Sequence, residues 1–92
     1  THSLNAPAVF VEPTAVQRRA LLAEYGEIER FVYEEERAKL TGCCRMTAWR
    51  REKVNAFPRR RSISSQRCAW MLSDIFHWLH TRPIVANEIV MM

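Results

Sequence analysis

Three groups of residues in this 92-residue chain have the types and spacing to do chemistry. The first is Cys43, Cys44 and Cys68 together with His77 and His80, side chains that ligate zinc and related metals. Structural zinc sites repeat a short C-x-x-C-like spacing, which is absent here, and adjacent cysteines make poor joint corners of one tetrahedron. No metal and no cofactor is expected, and the cysteines read as turn, helix-start and strand residues. The second group is Glu34-Glu35-Glu36. Carboxylates can run general acid–base catalysis, but three acids opening a helix are accounted for by the positive end of its dipole. With no Ser/His/Asp set and no phosphate-cradling glycine loop, the chain does not read as an enzyme. The third group is basic. Residues 45–67 hold Arg45, Arg50, Arg51, Lys53, Arg59, Arg60, Arg61 and Arg67 against Glu52 alone, a net of +7. Residues 1–44 carry a net of −2 and residues 68–92 a net of −1, so this block holds all the excess of a +4 chain. A surface tuned only for solubility mixes both signs, whereas a concentrated block is the footprint of a polyanion partner.

The elements that must position this block follow from local signals. Residues 1–12 include Pro7 and lack periodicity, which predicts an extended arm. Thr14-Ala15-Val16-Gln17 has the form of a capping box, opening a helix that runs to about Tyr25 with Gly26 as its left-handed stop. Its apolar stripe is read as Val16, Ala20, Leu21 and Tyr25. Phe31-Val32-Tyr33 suits a short strand, and Glu34 to Leu40 a second helix. Gly42 supplies a reversal, and a third helix runs from near Cys44 to about Val54, with Asn55 at its end and Phe57-Pro58 unable to continue it. Arg61–Ser64 and Arg67–Met71 read as a β-hairpin, and Ser73-Asp74 as the cap of a final helix, Ile75 to Thr81, that Pro83 ends.

The order of helix, turn, helix, hairpin, helix predicts a mainly α fold with a small β-hairpin: a winged helix-turn-helix with an extra N-terminal helix and an apolar C-terminal tail. The expected division is residues 1–29 for arm and first helix, 30–82 for the DNA-binding domain, and 83–92 for the tail. Hydrophobic content of 48% supports a folded core, and no run nears the roughly 18 apolar residues of a membrane span. With no secretory pattern, reduced thiols in a cytoplasmic, nucleoid-associated protein are expected.

A Gly-containing turn between two helices is common to plain helical hairpins and to DNA readers. The residues after the turn favour the second. The start of a recognition helix meets base edges in the major groove, and here it offers Arg45, Met46, Thr47 and, one turn later, Arg50. Arginine pairs with guanine, and Met or Thr touches a thymine methyl. Ala48 and Trp49 are expected to face the preceding helix. Arg51 and Lys53 are assigned to phosphates. Arg59, Arg60, Arg61, Ser64, Ser65, Gln66 and Arg67 form the expected wing on phosphates or in the minor groove.

Phe31 to about Arg82 resembles the AlpA-type, MerR-like winged-helix proteins, small transcription regulators and excisionases of phages and integrative elements. The resemblance is carried by Glu36, Leu40-Thr41-Gly42, Arg45-x-Thr47-x-Trp49-Arg50, Phe57-Pro58, Trp70, Ser73-Asp74-Ile75 and Trp78-Leu79. Four positions depart from the pattern: Cys44 where Ser is usual, Arg37 and Arg51 where apolar residues are common, and Asn55 in place of Gly. The resemblance implies double-stranded DNA as partner and two possible roles. One is to bend attachment-site DNA beside an integrase so that excision is favoured. The other is to bind a promoter. A module that binds an acidic protein is the reading from a different class. Ile84, Val85, Ile89 and Val90 of the tail are apolar enough to need cover, either on their own domain or head-to-tail on a neighbouring copy along DNA.

Overall fold

Thr14 opens the first helix as its sequence predicts. In the computed structural model, which describes residues 9–83, the Gln17 amide donates to the Thr14 hydroxyl at 3.1 Å and the Thr14 amide donates to the Gln17 side chain at 2.8 Å. Helix α1 spans Ala15–Tyr25 and ends on Gly26 at φ 66°. Its inward face is narrower than the predicted stripe: Leu21 is buried, while Val16 is 66% exposed and Ala20 is also exposed. The rest of that face is Arg18, Leu22 and Tyr25, because the helix lies across one other helix and anchors partly through ion pairs and ring stacking.

Strand β1 (Phe31–Val32) leads into α2 (Glu34–Thr41), and α3 (Arg45–Lys53) follows. Gly42 reverses the chain at φ 71°, and Asn55 at φ 61° ends the run after α3. Strands β2 (Arg61–Ser64) and β3 (Arg67–Met71) form the hairpin, with Ser65-Gln66 as its turn and a register irregularity between Ser62 and Ser64. β1 adds to the other edge of β3, pairing Phe31 with Met71 and Val32 with Trp70, so the antiparallel sheet runs β1-β3-β2.

Helix α4 (Leu72–His80) begins directly from β3. The expected Ser73-Asp74 cap is corrected here. Met71 is the N-cap and makes no side-chain cap bond, and both polar residues lie buried inside the helix. Their partners come from far along the chain. Glu29 accepts from the Ser73 amide at 3.0 Å, and Arg18 donates at 2.8 Å to both the Ser73 hydroxyl and the Asp74 carboxylate. These bonds fasten α1 and the loop after it to the start of α4.

Two buried clusters meet at α4. One holds Ala48, Phe57, Trp70, Ile75 and Trp78, the other Leu21, Val32, Leu72 and Phe76, with Leu40 and Leu79 packed against both. The indole of Trp70 donates to the Pro58 carbonyl at 3.1 Å and that of Trp78 to the Ala56 carbonyl at 3.0 Å. Buried indoles need such acceptors. Here they pin the Ala56–Pro58 loop and so fix the hairpin relative to α3. The arm before Thr14 follows the body: the Phe10 amide donates to the Asn55 carbonyl at 2.6 Å, and the Phe10 ring meets His77 edge-on. The tail residues Ile84, Val85, Ile89 and Val90 lie outside the described residues. Among the described residues no helix is long and apolar enough to cross a membrane.

Candidate nucleic-acid interface

The first turn of α3 projects from the body. Arg45, Met46, Trp49 and Arg50 are exposed, Thr47 is half-buried, and Ala48 beneath them is buried in the core. This corrects the expectation that Trp49 faces the preceding helix. Successive helical positions differ by 100°, so with Ala48 centred on the core Trp49 is turned toward the edge of the helix and into solvent. No acid occupies the first turn of α3, and Arg45 stands against its positive end. A cation there does nothing for the helix, which is a reason to look for its role outside the fold. Arg50, Arg51 and Lys53, by contrast, occupy the last turn, where the dipole favours them.

Cys44 is the N-cap of α3 and makes no side-chain bond to the helix amides. Its thiol lies 3.3 Å from the Thr47 hydroxyl. This contact with the Thr47 side chain holds the thiol below its usual range. A serine hydroxyl accepts from helix amides far better than sulfur does. Cys44→Ser is therefore expected to raise stability by about 0.5–1 kcal/mol in urea denaturation, and an unchanged midpoint would show that the Thr47 contact already satisfies this helix end.

Between α3 and the hairpin lies an open cleft of about 920 Å³. Arg45, Met46, Ala48, Trp49 and Glu52 line it from the helix, Arg60, Gln66, Arg67 and Cys68 from the hairpin side, Tyr33 and Trp70 from below, and Glu34 and Glu35 from the start of α2. Arg67 stacks over the Tyr33 ring at 4.2 Å, and Lys53 over the Trp49 ring at 4.3 Å. Glu52 accepts from the Arg60 amide at 3.2 Å and pairs with its side chain at 3.1 Å, joining α3 to the root of the hairpin. Arg59 donates to the Asn55 side chain at 2.9 Å. Ser64, Ser65 and Gln66 are exposed at the hairpin tip.

Two of the expected contact residues are drawn elsewhere. Arg51 turns inward, 3.4 Å from the Cys43 sulfur and over the Trp78 ring at 5.7 Å. Arg61 reaches back to Asp74 at 3.6 Å and Glu12 at 3.9 Å. Burial pushes the Asp74 carboxyl up, and Arg18 and Arg61 pull against it. Two acids of α2 are taken up internally: Glu34 pairs with Arg37, and Glu36 with Arg30, whose hydrogen bonds hold Glu36 below the usual carboxylate range. Glu35 is exposed on the wall of the cleft and makes no ion pair among the described residues. Among the described residues Arg45 and Arg50 make no ion pair and no side-chain hydrogen bond, so the guanidiniums of α3's outer face are unengaged by the fold. An indole in sequence reads as core, which conceals Trp49 as a surface residue. Its place one turn after Arg45 on a basic helix was the signal available.

No curated protein and no solved structure matches the chain. The family model of the prophage CP4-57 regulatory protein (AlpA) matches residues 30–83, well over half of the sequence. That span contains β1, α2, the Gly42 turn, α3, the hairpin and α4, and with them every residue that lines the cleft. With its helix-turn-helix, its hairpin and the cleft between them inside the matched residues, the chain belongs to the AlpA family of prophage regulatory proteins, a family of DNA-binding regulators.

Proposed function

We propose that this protein is an excisionase, a recombination directionality factor that binds and bends attachment-site DNA so that a neighbouring integrase excises a mobile element. The observation that carries the DNA reading is the meeting of α3 and the hairpin on one cation-bearing cleft. Arg45, Met46, Thr47 and Arg50 read base edges in the major groove. Lys53, Arg59, Arg60, Arg67 and the tip residues Ser64, Ser65 and Gln66 hold phosphates and the adjacent minor groove. Arg51 and Arg61 brace α3 and the hairpin root, which keeps the two halves at a fixed separation. The apolar tail supports the excisionase role over a single-operator role. Ile84, Val85, Ile89 and Val90 docked on the next copy would make a head-to-tail contact that propagates along DNA. Binding a promoter is the second reading, favoured by the family's description as regulatory.

A gel shift with a bending assay on duplexes selected from random sequence tests the choice, using the full chain and a chain cut after Pro83. A ladder of bound species with progressive bending, lost on truncation, supports the excisionase. One unbent species indifferent to truncation supports the promoter-binding regulator. Arg60→Ala is expected to weaken all duplexes alike and to lower the slope of log K against log salt by about one, since it removes one phosphate contact and no base contact. A sequence-dependent loss in that variant would move Arg60 from the phosphates to the bases.

A further inference from the structure

Trp49 is the residue of α3 that the fold leaves unexplained. Large aromatics of small domains are mostly buried, yet Trp49 keeps 46% of its surface in water while its neighbour Ala48 is buried. Met46, three residues earlier, is 56% exposed, and this spacing sets the two side by side on one helix face. Both line the cleft beside Arg45, Arg60 and Arg67, and the Lys53 ammonium lies 4.3 Å over the indole. Arg60 is paired with Glu52, but Arg45, Arg67 and Lys53 make no ion pair among the described residues, and an apolar protein surface laid over the Met46–Trp49 pair would strand those three charges. The combination matches an apolar group carried by a polyanion. The major groove displays one such group, the 5-methyl of thymine.

We infer that Trp49, with Met46 beside it, is a specificity residue that recognises thymine through its methyl group and so separates thymine from cytosine in the target site. The inference rests on the duplex-DNA reading above. It is tested on a duplex selected from random sequence by replacing each thymine in turn with deoxyuridine, which deletes only the methyl. The wild-type protein should bind about fourfold more weakly at one or two positions, the worth of one buried methyl. Trp49→Ala should bind the thymine and uracil duplexes equally well. At the same positions 5-iododeoxyuridine should photo-crosslink the wild-type protein at Trp49 or Met46, a readout that does not depend on the variant folding. Indifference of the wild type to uracil everywhere, an unchanged uracil penalty in Trp49→Ala, or crosslinks confined to other residues would overturn the inference. Recovery of no bound duplex at all would bring down the DNA reading itself, whereas a tight duplex indifferent to uracil would remove only the thymine assignment.

Discussion

Replacing Arg37 with Ala is expected to lower the unfolding free energy by about 3–5 kcal/mol. The Arg37 side chain is completely buried. Its guanidinium donates to the Cys43 carbonyl at 2.6 Å and to the Thr41 hydroxyl at 3.3 Å, and it pairs with Glu34. It lies over the Phe57 and Trp70 rings at 5.8 and 5.3 Å. One side chain thus closes the roof of the aromatic core and ties α2 to the turn that launches α3. Alanine opens a cavity there and leaves the Cys43 carbonyl without its donor, and each of these costs about 1–3 kcal/mol or more. Most of the loss comes from volume and the orphaned carbonyl rather than from the ion pair, since Glu34 is 42% exposed and regains water. The Arg37 Nε is itself buried without a partner among the described residues, a cost the native state already bears. Arg37→Met, which fills the space without the charge, should therefore lose about half as much or less. Urea midpoints of the two variants decide the matter. Equal losses for Met and Ala would mean that the charge network outweighs the packing, and an Ala variant within about 1 kcal/mol of wild type would contradict the account.

Replacing Arg45 with Ala is expected to cost about 1–3 kcal/mol of discrimination between the preferred site and its single-base variants, with little change in fold stability. Arg45 is exposed, unpaired among the described residues, and set against the unfavourable end of the α3 dipole. Nothing in the domain depends on it. Its guanidinium carries the fork that matches the two acceptors of a guanine edge, which a lysine cannot copy. Arg45→Lys should thus retain overall affinity at low salt and still lose discrimination. Competition binding with base-substituted duplexes measures this, and an intact site preference in Arg45→Ala would place the base contacts elsewhere.

The helix-turn-helix and the hairpin were legible in sequence because local chemistry sets them. Gly42 and Asn55 take left-handed backbone, the Thr14 box closes as its spacing dictates, and the turn at Ser65-Gln66 joins the two strands expected. What was not legible depends on distant partners. Ser73 and Asp74 have the residue types of a cap, but Glu29 and Arg18, more than forty residues away in sequence, make burial within α4 tolerable. Arg37 and Arg51 stand where the resemblance leads one to expect apolar residues. In the folded chain both lie over aromatic rings, so the stems pack as apolar residues while the guanidiniums find π faces and other acceptors. Val16 falls on the apolar stripe that helical spacing predicts, but α1 needs only a narrow face against α4. For the site, composition located the basic block. It could not show that Arg61 and Arg51 are engaged by the body while Arg45 and Arg50 are free of it, nor which of Ala48 and Trp49 meets solvent.

The central claim, that α3 and the hairpin form a surface for duplex DNA, is tested most directly by the salt dependence of binding. With roughly five phosphates neutralised, log K against log salt should fall with a slope of about −4 to −5 on a selected duplex. No measurable affinity for any duplex at low salt, or a slope near zero, would contradict it and would turn the free arginines of α3 and the hairpin toward an acidic protein partner instead.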